Sequence, residues 1–142
     1  MRVSDVLRNK GAGVDTLDPG TRTAELLRRL AEHNIGAMVV TGPDGIAGIV
    51  SERDVVRRLT AHGADLLDMP VSAIMTTDVA SCVLDDSVDK LFGLMTERRV
   101  RHVPVIVDGS LVGIVSIGDV VKMRMDELQH SEEQLQAYIS QG

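Results

Sequence analysis

Aromatic residues are almost absent. Phe92 and Tyr138 are the whole complement, and tryptophan is missing. A surface that stacks nucleic-acid bases needs aromatic faces, so this activity is excluded. Any planar ligand must lie between aliphatic side chains and be read by backbone groups. Cysteine is equally scarce. Cys82 stands alone, which excludes an intrachain disulfide and a thiolate zinc cage. The opening residues, MRVSDVLRNKG, form no apolar export segment, and no apolar run approaches the ~20 residues of a membrane span. A cytoplasmic protein without a membrane partner is expected. Positive charge is also in deficit, with 15 Lys and Arg against 21 Asp and Glu and a net charge of −6. The chain is therefore not expected to coat nucleic acid or anionic lipid. Much of the acid is local: residues 126–142 hold Asp126, Glu127, Glu132 and Glu133 with no Lys or Arg.

What the chain does have is an internal repeat, which takes precedence in reading a fold. Shifted by 65 residues, Gly48-Ile-Val-Ser51 falls on Gly113-Ile-Val-Ser116, and Asp54-Val-Val falls on Asp119-Val-Val. Residues 21–56 and 86–121 share 10 identities in 36 ungapped positions. At a shift of 68, Val3-Ser-Asp-Val-Leu falls on Val71-Ser-Ala-Ile-Met, so the first copy carries three extra residues between Leu7 and Thr21.

Each copy reads as β-α-β-β-α. An entry segment (3–7 or 71–75) precedes a short strand near 14–17 or 79–83. A helix follows, with Leu26, Leu27 and Leu30 or Leu91, Phe92 and Met95 on one face. Thr21 and Asp86 or Ser87 are its expected N-caps. Two apolar runs then form a hairpin, joined by Asp108-Gly109 in the second copy and by a longer Gly42-Pro-Asp-Gly45 turn in the first. A second helix starts near Glu52 or Ile117. The expected organisation is unit 1 at 1–62, a linker at 63–70, unit 2 at 71–125, and an acidic helical tail at 126–142. The tail's Leu128, Leu135, Tyr138 and Ile139 leave two readings open, a frayed end or a partner-contacting helix.

The sharpest motif occurs twice, as Gly48-Ile-Val-Ser51-Glu-Arg-Asp54 and Gly113-Ile-Val-Ser116-Ile-Gly-Asp119. Ser-x-x-Asp at a strand-to-helix turn forms an approximate capping box. The same geometry suits a nucleotide, because a helix N-terminus offers free N–H groups to phosphate and a carboxylate accepts ribose hydroxyls. Arg98-Arg99-Val-Arg101-His102 adds a basic cluster that either ends a helix or grips phosphate. His33, His62, His102 and His130 show no metal-ligand spacing, so no metal is expected. No nucleophile–base pair, phosphate loop or Gly-x-Gly-x-x-Gly is present, so no catalytic residue is expected.

The tandem units with these motifs, together with Arg101-His-Val-Pro-Val105, resemble a pair of CBS domains, the modules named for cystathionine β-synthase. The resemblance covers about 3–125. It implies an α/β fold of two units packed with pseudo-twofold symmetry, followed here by an extended C-terminal helix, with two clefts between the units. It also implies regulatory binding of an adenosine compound: AMP first, with ADP, ATP or NAD(H) as further choices and S-adenosylmethionine less favoured. The carried-over residues are Asp54 and Asp119 for ribose, Ser51 and Ser116 for ribose or phosphate, and Arg53, Arg101 and His102 for phosphate. Thr16, Leu17 and Met38 in one copy, and Ser81, Cys82, Val103, Pro104 and Ile117 in the other, fall where the family contacts adenine or its ribose. Copy one has Val39 in place of the usual proline. The resemblance further implies a homodimer through the helices and a regulated protein that the sequence does not name. The alternative is a ligand-free dimerisation module.

Overall fold

The structure, a computed structural model, describes residues 1–11 and 13–141. Helix α1 (Val3–Lys10) leads to strand β1 (Thr16–Leu17), helix α2 (Thr23–His33), strands β2 (Ala37–Gly42) and β3 (Gly45–Ser51) and helix α3 (Glu52–His62). Two 3₁₀ turns, Gly63–Asp68 and Val71–Ala73, connect to helix α4 (Val88–Arg98), strands β4 (His102–Val107) and β5 (Ser110–Ser116) and helix α5 (Ile117–Gln141). The first sheet has the order β1-β2-β3, with β1 parallel and β3 antiparallel to β2. The second sheet is the β4-β5 hairpin. The strand expected near 79–83 is reduced to a single parallel bridge between Cys82 and Val105.

The repeat is visible in backbone detail. A register shift follows Val40 in one hairpin and Val105 in the other, which are equivalent positions. Both hairpins close on two residues, and the first is shorter than expected because Gly42 pairs with Gly45. Asp108 and Gly109 both have positive φ (50° and 79°), the conformation that favours Asp-Gly between twisted strands. Ser87 caps α4 through Lys90 N–H, whereas α2 starts after Arg22 without a side-chain cap. Helices α2 and α4 both end in the left-handed conformation, at Asn34 (φ 53°) and Arg99 (φ 53°). Asn tolerates that backbone, but for a residue such as Arg it costs about 1 kcal/mol.

Two hydrophobic clusters form the core, and each is completed by the other unit's entry segment. Val3, Val6 and Leu7 of α1 pack with Val88, Leu91, Met95, Val103, Val115 and Val120 of the second unit. Val71 and Ile74 pack with Leu17, Leu26, Met38 and Val50 of the first. Backbone bonds follow the exchange: Val3 N–H donates to Asp86 O (2.9 Å), and Val71 N–H donates to Thr21 O (2.7 Å). The repeated glycines mark the crossing points. A Cβ on Gly48 would meet Met75 Sδ and the Thr76 carbonyl, both at 2.7 Å, and one on Gly113 would meet Leu7 Cδ1 at 2.8 Å. The linker's Leu66 is fully buried against the first cluster, so this segment is part of the fold.

Helix α5 continues to Gln141. From Met125 onward its described residues are exposed, including Leu128, Leu135, Tyr138 and Ile139. Among the described residues no helix is long and apolar enough to cross a membrane.

Candidate functional site: a cationic cleft between the two units

The repeated Ser-x-x-Asp motif forms a cap at both helix starts. Ser51 N–H donates to Asp54 Oδ2 (2.8 Å), and Asp54 N–H donates to Ser51 Oγ (3.3 Å). Ser116 and Asp119 repeat the pair at 2.8 and 3.1 Å. The preceding carbonyls join in, because Glu52 N–H bonds Gly36 O (3.0 Å) and Ile117 N–H bonds Arg101 O (2.8 Å). Capping uses one carboxylate oxygen of each Asp. The two sites then diverge. Asp54 has no cationic partner among the described residues, whereas Asp119 receives Lys10 Nζ at 2.6 Å.

A cleft of about 140 Å³, open to solvent, brings Ser51, Arg53 and Asp54 of the first unit against Arg101 and His102 of the second. Ile49, Ala37, Val79 and Ala80 supply its apolar wall. His102 crosses close to Gly36, where a Cβ would lie 3.4 Å from both His102 Cε1 and Glu52 Oε1. Burial, reinforced by Lys10 and Arg101, pushes the His102 pKa below its usual value despite the opposing pull of Asp119 and Glu52.

Arginine pairing singles out this cleft. Arg2, Arg8, Arg22, Arg28, Arg29, Arg98 and Arg124 donate to protein oxygens. No hydrogen bond or ion pair engages the side chains of Arg53, Arg57, Arg58, Arg99 or Arg101 among the described residues. All of these except Arg58 line the cleft.

The other sequence-predicted residues lie elsewhere. Leu17, Met38, Cys82 and Val103 are core residues, at most 4% exposed. Pro104 is buried as well, while Thr16 lies on β1 and Ser81 is exposed. The Cys82 backbone is already spent, with its N–H on Pro104 O (3.0 Å) and its carbonyl taken by Ile106 N–H (2.9 Å). Burial, and then Asp86, push the Cys82 thiol up to about 12, so it stays protonated and unreactive. Ile117 packs partly buried on the second core. Ser116 caps α5, and Asp119 lies in a separate depression with Val6, Asn9, Lys10 and Lys122.

Sequence reading missed Arg57, Thr76, Asp78, Val79 and Ala80, all of which line the cleft. Arg57 was readable, since it lies one helical turn from Arg53. Of the basic run, Arg98 is consumed by Asp78 at 3.0 Å, which leaves Arg99 and Arg101 free. Among the described residues no group of three or more His, Cys, Asp or Glu side chains could hold a metal ion.

The tandem units, exchanged entry segments and inter-unit cleft define a pair of CBS domains. The CBS domain family model matches residues 3–61 and 71–126, and the chain belongs to that family. It is 35% identical to the mitochondrial CBS domain-containing protein CBSX3 of Arabidopsis thaliana, over 99% of this chain and 72% of that protein. A CBS-domain protein from Agrobacterium tumefaciens has a solved structure that superposes with a TM-score of 0.84. The two are 45% identical over 87% of this chain and 92% of that one. The CBS domain pair of protein MJ0100, solved in complex with 5′-methylthioadenosine and S-adenosyl-L-methionine, superposes with a TM-score of 0.76. It is 25% identical over 87% of this chain and 98% of that one.

Proposed function

We propose that this chain is a regulatory module that binds a phosphorylated adenosine ligand in the cleft between α3 and the Arg99–His102 segment. The observation that carries this reading is the convergence of Asp54, capped but without a cation, with unpaired arginines from both units. Asp54 accepts the ribose hydroxyls. Arg53 and Arg101, with His102 beside them, take phosphate, for which guanidinium forks are suited. The adenine lies against Ile49, Val79 and Ala80, with no aromatic partner needed. AMP, ADP, ATP and NAD(H) fit this charge. S-adenosylmethionine fits less well, because its sulfonium meets a cationic wall. The adenosine compounds bound to the MJ0100 pair support the nucleoside part of the reading.

Regulation requires a partner to receive the signal. A second copy is the first, reached through the exposed Val56 and Leu59 of α3 and Val121 and Met125 of α5. The ligand-free reading is favoured by Asp119, whose contacts are fully accounted for by the cap and Lys10. Calorimetric titration with adenine nucleotides tests the choice. Binding at micromolar concentrations, weakened roughly tenfold or more in Asp54→Ala, is the expected result. A wild-type chain that binds none of them is a scaffold.

A further inference from the structure

Helix α5 runs on after its last tether to the body of the molecule, the bond from Arg124 to Asp89 of α4. From Met125 to Gln141 every described residue is exposed. The described hydrogen bonds and ion pairs of this stretch stay within the helix: Arg124 with Glu127, His130 with Gln134, and Ser140 with the Gln136 carbonyl. A helix of this length is marginal in water, because helical stability in proteins comes mostly from packing an apolar face.

That face exists, and it has coiled-coil spacing. Leu128, Glu132, Leu135 and Ile139 follow one another by four, three and four residues, continuing the series of Val121 and Met125. These are the alternating seam positions of a heptad. Leu128, Leu135 and Ile139 are each at least 60% exposed. An apolar seam held in water suits cover by a second helix.

Charge decides which helix. Residues 126–142 hold Asp126, Glu127, Glu132 and Glu133 with no Lys or Arg, and the last turn of α5 has no base to match the negative end of its dipole. Glu132 matters most, because it stands inside the seam. The tail of a second copy would set the same four acids against it and supply no cation, and a covered charge without a partner is destabilising. The acids also oppose an anionic bilayer, whose surface helices carry Lys and Arg on their polar face.

We infer that the tail of α5 is a docking helix for another protein, and that its partner is an amphipathic helix with an apolar seam and a Lys or Arg set against Glu132. The surface of α3 and the first turns of α5 is left to the second copy. The inference supplies the chemistry of the regulated partner and does not depend on what the cleft binds.

The test is titration of the full chain, followed by fluorescence anisotropy, with synthetic helical peptides. Each peptide has leucine at its seam positions and lysine on its flanks, which keeps it from pairing with itself. One version places lysine at the seam position facing Glu132 and the other places glutamate there. Both are made in two seam orders, so that either orientation of the pair is sampled. Wild type should bind the seam-lysine peptide at least about tenfold more tightly, the worth of one charged contact. Glu132→Lys should reverse that order, which the general acidity of the chain would not do. Leu135→Asp should weaken both peptides by about tenfold or more. Its melting point should match wild type, since Leu135 is exposed. Equal affinities in wild type, a preference that survives Glu132→Lys, or no binding at about 1 mM peptide overturns the inference. Loss of the dimer on truncation after Asp126 gives the tail to a second copy and overturns it as well. So does binding to phosphatidylserine vesicles that Leu135→Asp abolishes. Silence toward the peptides leaves the adenosine reading standing, and a failed nucleotide titration leaves this inference standing.

Discussion

Lys10 and Asp119, 109 residues apart, form an ion pair that has no counterpart at Asp54 among the described residues. The Lys10 ammonium bonds Asp119 Oδ2 at 2.6 Å and the Ile114 carbonyl at 2.8 Å. In the first unit the equivalent carbonyl, on Ile49, takes the backbone N–H of Thr76 (2.9 Å). The position matching Lys10 is Asp78, which turns to Arg98. One duplicated motif thus serves two ends: Asp119 is neutralised from within, and Asp54 stays open.

Lys10→Met should cost about 1 kcal/mol at pH 7, in the range of a partly shielded ion pair. Burial pushes the Asp119 pKa up, but the Lys10 and Ser116 bonds outweigh it and hold it below its ordinary value. A depressed carboxylate pKa stabilises above the unfolded value near 3.8 and loses that contribution as pH falls through the folded value. The melting curves of wild type and Lys10→Met should therefore converge in acid. A gap that persists at low pH would assign the effect to packing.

Asp54→Ala and Asp119→Ala should part company. Both remove the carboxylate half of a capping box while the serine cap remains, at about 0.5–1.5 kcal/mol of stability each. Only Asp54→Ala should also weaken nucleotide binding, by roughly tenfold or more. Titration and melting of the same two proteins check this. Equal affinity losses would mean that Lys10 yields and both clefts bind.

The two crossing-point glycines should differ in cost. Gly48→Ala drives a Cβ onto the Thr76 carbonyl at 2.7 Å, while Gly113→Ala meets only the Leu7 side chain at 2.8 Å. Backbone yields less than a side-chain tip. Overpacking costs about 1–3 kcal/mol, and Gly48→Ala belongs at the upper end. Chemical denaturation of the pair decides it, and a larger loss in Gly113→Ala contradicts the geometry.

His102 should make binding sensitive to pH. Its pKa lies below the usual 6.5, set by burial and by Lys10, Arg101, Asp119 and Glu52 around it. Phosphate beside the ring favours the charged form, so binding takes up a proton. Affinity then rises as pH falls from 7.5 to 6, by roughly threefold, the worth of one modest hydrogen bond. His102→Gln should remove this component, and the difference between the two proteins cancels the ligand's own titration. Parallel pH profiles would place His102 outside the phosphate's reach.

Truncation after Asp126 should leave stability within about 0.5 kcal/mol, because the described residues beyond it are all exposed. Self-association should persist, since Val56, Leu59, Val121 and Met125 all remain. Light scattering at micromolar concentration checks this. A dimer lost with the tail would assign the interface to Leu128, Leu135, Tyr138 and Ile139 instead.

Much of the fold was legible because duplication doubles every signal. The hairpins, α3, and the long α5 follow from the repeated Gly-h-h-Ser-x-x-Asp motif and its flanking apolar runs. The entry segments were legible as repeats but not as exchanged parts, since Val3 and Val71 look alike whichever core receives them. At the site, charge and caps were readable, so Ser51, Arg53, Asp54, Arg101 and His102 were named, and the structure gathers these five in one cleft. The apolar wall was not. Ser81 and Cys82 follow the repeat match to Thr16 and Leu17, but the chain meets the cleft two residues earlier, at Val79 and Ala80. Spacing along a strand cannot reveal which residues precede its only bridge.

The reciprocal packing of α1 and the Val71–Ala73 turn means that neither half owns a complete interior. Cut within the linker, the chain would yield two fragments, each with a gap lined by leucine and valine and a spare segment to fill its counterpart. Such fragments should be insoluble apart and recover a stable non-covalent complex when expressed together. The same interlock ties any movement of one unit's entry segment to the other unit's core, so a ligand that draws the two halves closer acts on both interiors at once.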